Sequence, residues 1–275
     1  MADRLVIYHG NCFDGFTAAW VHARHSGESG EYIAAHHGDA PPDVTGRDVL
    51  VLDFSYPRAE LLAMNDAAAS LQVLDHHKSA EEALRGLPFC AFDMDRSGCG
   101  MTWDFLMPGH QRPQLVNIME DRDLWRFKYE ATGPVIAAAG AVPMTFEAWD
   151  QLAGDIDGVI GDGEAILRYI RTVGERVSQQ AVSWTIGEHS VPVVNIAYPS
   201  ASDHLALLLA HHPEAPFVAS FCLGGDSKWH FSLRSRSTDP DHGFDVSVLA
   251  GQYGGGGHRN AAGFVLITLD GFHPA

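Results

Sequence analysis

The chain has 275 residues, 46% of them hydrophobic and 19% charged, with 35 acidic against 18 basic side chains and a formal net charge of −17. That composition excludes a disordered or fibrous chain, and so acidic a balance excludes a broad electrostatic surface for long duplex nucleic acid, which needs Lys/Arg-rich patches. No apolar run approaches the roughly 20 residues of a membrane span, the start lacks a secretory signal pattern, and Cys12, Cys90, Cys99 and Cys222 form no C-x-x-C pair, so a cytoplasmic, membrane-free protein with reduced thiols is expected.

In chain order, Arg4 to His9, Val49 to Asp53 and the run from Leu71 to Asp75 predict buried strands, each ending on a group that can hold a metal ion or a proton. An amphipathic segment follows each: Ala18 to Ala23, Pro57 to Met64 and Ala80 to Leu84. Strands alternating with helices predict right-handed crossovers and an α/β, Rossmann-like parallel sheet, whose C-terminal edge is the ligand-binding edge. Asp75-His76-His77 stands at that edge. Alone, the triplet also reads as a helix cap beside a surface histidine pair; three strand ends bearing such groups favour one shared crevice.

Further on, Met101 to Leu106 and Gln111 to Ile118 read as helices, the second running into Glu120-Asp121-Arg122-Asp123. A short helix is expected around Phe146 to Leu152. Ile166, Ile170, Val173, Val177, Ala181 and Trp184 then mark one stripe of a long helix, interrupted by the unfavourable Gly174. A second α/β unit follows, with strands at Val191 to Ile196, Pro216 to Leu223 and Lys228 to Arg234, helices at Asp203 to Ala210 and Asp245 to Tyr253, and a last strand at Phe264 to Leu269. Four glycines, Gly254 to Gly257, precede His258 and Arg259; they suit close backbone approach to a phosphate, or an ordinary turn. The expected division is a catalytic domain over 1–130, a helical connector over 131–187 and a smaller C-terminal α/β domain over 188–275.

His9-Gly-Asn-Cys-Phe-Asp14-Gly, Asp53, Asp75-His76-His77, Asp121 within Glu-Asp-Arg-Asp-Leu-Trp, Ser232 to Arg236 and Gly254 to Gly263 together, in that order, resemble the motifs of the DHH phosphoesterases with their associated C-terminal domain. That family includes nanoRNA-degrading oligoribonucleases and single-strand exonucleases. The resemblance implies two manganese ions, with magnesium the alternative, held by His9, Asp14, Asp53, His76 and Asp121, with Asp53 bridging. Asp123 is the rival of Asp121. His77, with Asp53 and Asp75, would carry the catalytic work, His77 facing the phosphate and Asp75 orienting a histidine. Arg234, Arg236, Gly255, Gly256, Gly257, His258 and Arg259 would bind the substrate.

The implied activity is metal-dependent hydrolysis of a phosphodiester in a short oligonucleotide or small nucleotide. The alternatives are a phosphomonoesterase or phosphoanhydride hydrolase acting on nucleotide bisphosphates, pyrophosphate or polyphosphate, and a nucleotide-binding regulatory module. Phe54, Tyr56, Trp125, Trp229 and Phe231 are candidates for stacking a base, and homodimerisation is left open. The first motif of the family usually supplies two aspartates; here only Asp14 is present, with Asn11, Cys12 and Phe13 beside it. The ion on the His9 side is therefore expected to bind more weakly than its partner.

Overall fold

In the computed structural model, which describes residues 3–25, 29–196, 198–236 and 243–270, the apolar runs at the start of the chain form the centre of a parallel sheet. The elements in order are β1 (Arg4–His9), α1 (Phe13–His25), β2 (Glu31–Ala35), β3 (Asp48–Leu52), α2 (Arg58–Ala67), β4 (Ser70–Asp75), α3 (Lys78–Leu84) and β5 (Cys90–Phe92). Helices α4 (Gly98–Leu106), α5 (Gln114–Asp123), α6 (Thr132–Ala139), α7 (Phe146–Gly154) and α8 (Ile156–Ser178) follow. The sheet order is β2-β1-β3-β4-β5, with every pairing parallel.

Successive strand residues point to opposite faces, and the core divides accordingly. Val6, Leu50, Leu52 and Leu74 pack with Phe16, Trp20, Trp103, Ile118 and Trp149 from α1, α4, α5 and α7. Their neighbours Leu5, Ile7, Val49, Val51 and Val73 pack with Leu61, Met64 and Leu84 from α2 and α3. Burial on both faces is why these strands read as continuous apolar runs rather than alternating ones. Strand β2 went unread in the sequence because it lies at the sheet edge and is only partly buried.

The chain groups into two compact units, Met1–Ile166 and Leu167–Ala275, and passes from one to the other within α8. Residues 131–166, expected within a connector, contribute Val135, Ala139, Trp149 and Leu152 to the core of the first unit. In the second unit a mixed sheet has the order β10-β11-β9-β8-β7-β6. Its elements are β6 (Val182–Ile186), β7 (His189–Asn195), α9 (Tyr198–His211), β8 (Phe217–Leu223), β9 (Trp229–Ser235), α10 (Val246–Gln252), β10 (Gly256–His258) and β11 (Ala261–Leu266).

Two sequence expectations shift here. The helical stripe stops at Ser178, and Trp184 lies on β6, buried against Phe221 and Phe231. Gly174, unfavourable by propensity, lies tight against α9: a Cβ there would stand 2.4 Å from Leu207 Cδ1 and 2.9 Å from the His204 ring, so a larger residue would need those side chains to shift. The expected last strand, Phe264 to Leu269, begins earlier, at Ala261, because it pairs with β9 from Arg234 onward. Among the described residues no helix is long and apolar enough to cross a membrane, and the four cysteines are free thiols.

Candidate metal centre

After β1 the chain runs outward to β2 and then returns to place β3 on the other side of β1, so the strand order reverses between β1 and β3. Crevices in open α/β sheets form at such a reversal, outside the carboxyl ends of the strands. His9 ends β1, Asp53 follows β3, Asp75 ends β4, and His76 and His77 begin the next loop. Asp14 is in the first turn of α1, and Asp123 is the last residue of α5.

Asp53 is the hub and is 1% exposed. Its Oδ2 stands 3.4 Å from His9 Nδ1 and 3.5 Å from Cys12 Sγ, while its Oδ1 stands 3.1 Å from His76 Nε2. His76 Nε2 is in turn 3.4 Å from Asp123 Oδ2 and 3.9 Å from Asp14 Oδ2. Two groups result, His9–Asp53–His77 and Asp14–His76–Asp123, each offering three ligand atoms within 4.8 Å of one another. Ligands at about 2.0–2.3 Å from one ion stand roughly 3–3.6 Å apart, so most of these separations are those of shared coordination. Asp53, with one oxygen turned to each group, has the form of a bridge.

The residues also fit cations electrostatically. Burial, then the charges of Asp53 and Asp123, push the Asp14 carboxyl well above its usual range, and burial and Asp53 raise Asp123. Burial would raise Asp53 too, but contacts with His76 and His9 outweigh it and hold that carboxyl low. Burial would lower His76; its contact with Asp53 and the charges of Asp14, Asp53 and Asp123 win and raise it to about 9. Two buried carboxylates, Asp14 and Asp53, and the more exposed Asp123 repel at such separations, and positive charge between them removes that penalty. His9 Nδ1 and Asp53 Oδ1 are buried without a hydrogen-bond partner, since the 3.1 Å approach of His76 lacks a hydrogen bond's alignment. A set of carboxylate oxygens and imidazole nitrogens suits manganese or magnesium, the nitrogens favouring the former.

Asp75 belongs to neither group. Its Oδ1 accepts from His77 Nδ1 at 2.6 Å and from the backbone N–H groups of His76 and His77, and its Oδ2 accepts from Ser55 Oγ. That pairing raises the His77 imidazole against the opposing effect of burial and leaves Nε2 as the nitrogen not engaged by Asp75. Asp14 is fixed by accepting from the N–H groups of Gly98 and Cys99 at the start of α4. Only glycine fits at 98, because a Cβ there would lie 2.4 Å from the Asp53 Cβ. Arg96 and Ser97, just before α4, serve structure: Arg96 pairs with Asp93 and Asp104, and Ser97 caps α4.

Asp121 departs from expectation and Asp123 takes its place. Two residues along a helix turn the side chain by about 200°, so only one of the two can face the cluster. The Asp121 carboxylate is turned away and accepts from Lys128 N–H, Tyr129 N–H and Thr132 Oγ1. His37 is the residue that sequence reasoning missed; its ring lies 5.6 Å from that of His9 and 5.2 Å from that of Phe54. Recognition of β2 would have exposed it as another histidine just past a strand end. Of the candidate stacking rings, Phe54, Tyr56 and Phe231 are buried, Trp229 is half-buried and Trp125 is 64% exposed.

The expected phosphate-binding residues lie in the second unit. Arg236 donates to the carbonyls of Leu209, His212 and Ala215, closing the C-terminal end of α9, and Arg259 donates to Gly243 O and pairs with Asp245, the cap of α10. Both guanidiniums are thus engaged by the fold, which differs from a role in holding substrate alone. Arg234 donates to Leu233 O. Gly255 and Gly257 are glycine for packing, since a Cβ would lie 2.1 Å from Gly263 O and 2.6 Å from Ala261 O respectively, whereas Gly256 has open space beside it. The His258 backbone is in β10; its side chain lies outside the described residues.

No family model matches the chain. Among curated proteins it is 29% identical over 296 residues to the uncharacterized protein R106 of Acanthamoeba polyphaga mimivirus, covering 98% of this chain and 69% of that protein. Among solved structures, the pGpG-specific phosphodiesterase PggH from Vibrio cholerae aligns with a TM-score of 0.59 at 16% identity, over 98% of this chain and 95% of the other. RecJ from Thermus thermophilus, in complex with Mn2+, aligns with a TM-score of 0.53 at 15% identity, over 96% of this chain and 50% of the other. At these identities the likeness is one of fold.

Proposed function

We propose that this chain, which has the fold of the DHH phosphoesterases, is a divalent-metal-dependent phosphodiesterase acting on short oligonucleotides or small nucleotides. The observation that carries the reading is Asp53, buried between two His/carboxylate groups with one oxygen turned to each. Asp14, His76 and Asp123 would hold one ion, His9 the other, and Asp53 both. Ions there would supply charge for the phosphoryl oxygens and lower the pKa of a water, the chemistry expected of a two-metal site.

The protein's own part is position and proton handling. Asp75 holds His77 through Nδ1, leaving Nε2 as the nitrogen with which a protonated imidazole could meet a phosphate oxygen or give a proton to the departing one. The net charge of −17 favours short substrates caught locally over long chains bound by a basic surface. In the second unit, Arg234, Gly256 and His258 are the residues we assign to phosphate contact.

The test is a panel of dinucleotides, a nucleotide bisphosphate, pyrophosphate and polyphosphate, each with manganese and with magnesium. Metal-dependent cleavage of dinucleotides is expected, falling at least about 1,000-fold in Asp53→Asn, because both groups lose their common ligand. Turnover confined to phosphomonoesters or anhydrides would overturn the phosphodiesterase reading; tight nucleotide binding without turnover would mark a regulatory module.

A further inference from the structure

Helix α5 ends on Asp123, a member of the His76 group, and the segment after it carries three large rings that the core does not take up. Trp125, Phe127 and Tyr129 are 64%, 46% and 50% exposed. Clustered rings in water mark a contact surface, whereas scattered ones do not. The Trp125 and Phe127 rings meet edge to face at 5.0 Å, and the Arg122 guanidinium lies 4.3 Å over Trp125 and 5.8 Å over Phe127.

The backbone that presents these rings is strained and anchored. Trp125 and Phe127 have φ of 53° and 47°, a region that bulky side chains rarely adopt. Among the described residues, the other non-glycine positions with such a φ are Ser227, Asn11 in the loop after His9, and Asp53 itself. Trp125 N–H donates to Arg122 O, Arg126 N–H donates to Asp121 O, and the N–H groups of Lys128 and Tyr129 donate to the Asp121 carboxylate. Strain that the surroundings hold in place gathers at ligand sites.

Position and charge select the occupant. Two residues of chain span at most about 7 Å, so Trp125 stands within roughly a nucleotide's length of Asp123. In a chain of net charge −17, Leu124 to Tyr129 carry Arg126 and Lys128 and no acidic residue. Arg126 is also anchored, on Glu120 and the carbonyl of Asp95. Exposed rings interleaved with cations suit single-stranded nucleic acid, whose bases stack on aromatic faces whatever their identity.

We propose that Trp125 and Phe127, with the Arg122 guanidinium against the indole, form a stacking platform for a base of a short single-stranded oligonucleotide whose scissile phosphate lies at the metal centre. The proposal rests on the phosphodiesterase reading of that centre and adds where the base is held.

The test is calorimetric binding of a dinucleotide, and of the same sugar-phosphate backbone carrying no bases, to the manganese-loaded chain, with hydrolysis of both measured in parallel. The wild type should bind the dinucleotide at least about tenfold more tightly than the bare backbone, and Trp125→Ala should remove most of that difference while Trp125→Phe keeps it. Equal wild-type binding of the two overturns the platform, as does a preference retained in Trp125→Ala, whether or not that variant has lost self-association. An equal loss for both compounds in Trp125→Ala also overturns it, since the residue would then act on the centre rather than on a base. The wild-type comparison decides even where the variants do not fold. Base preference lost in Trp125→Ala without hydrolysis of either compound would overturn the enzymatic reading and leave the platform standing; hydrolysis without base preference would do the reverse.

Discussion

Cys12 is one of three residues, with Asn11 and Phe13, beside the single aspartate of the first motif, and the structure gives it a definite place: its Sγ is 3.5 Å from Asp53 Oδ2, the oxygen shared with His9. Burial and the charges of Asp53 and Asp14 drive the thiol far up, so it meets the site as a neutral group. A neutral sulfur is a poor partner for a hard cation. The group containing His9 thus has one carboxylate, Asp53, against two carboxylates plus the second Asp53 oxygen around His76. Titration of the metal-free protein with manganese should give two unequal affinities, and Cys12→Asp should tighten the weaker by about tenfold or more; two equal, tight sites in the wild type would refute this.

At the scale of elements, α5 separates two aspartates by function. Asp123 ends it facing His76, while Asp121 ties down residues 128–132 through three hydrogen bonds. Asp121→Ala should therefore lower stability by roughly 2–4 kcal/mol, since it strands the buried Thr132 hydroxyl and two partly buried N–H groups. Asp123→Asn should instead weaken manganese binding with little loss of stability, because it also relieves repulsion with Asp53. Thermal unfolding and calorimetric titration of both variants separate the roles, and a reversed pattern would contradict the assignment. The sequence could not choose between these residues, because the choice depends on helical phase. Gln111 to Ile118 reads as the helix, whereas the helix runs from Gln114 to Asp123. The strand ends were legible because β1, β3 and β4 are buried on both faces and so stand out as apolar runs. His37 was not, because the edge strand before it carries only a weak apolar signal.

Across the whole molecule, the charge of −17 acts on any anionic ligand before contact is made. The screening length falls from about 30 Å at 0.01 M salt to about 10 Å at 0.1 M. For a dinucleotide substrate, kcat/KM should rise several-fold over that range, the opposite of the trend for proteins that gather nucleic acid on basic surfaces. Rates measured across a sodium chloride series check this, and a steady fall with salt would point to a basic approach path. The two-unit architecture and parallel sheet were readable from alternating segments, but the boundary within α8 was not, since an uninterrupted helix carries no linker signature. The crowding of Asp14, Asp53 and Asp123 also reaches beyond catalysis. Ions that bind only the folded chain deepen its stability with the logarithm of their free concentration once that exceeds Kd. If the centre binds ions as proposed, the lifetime of the N-terminal unit against cellular proteases would be tied to metal supply, and scarcity would remove the protein as well as silence it.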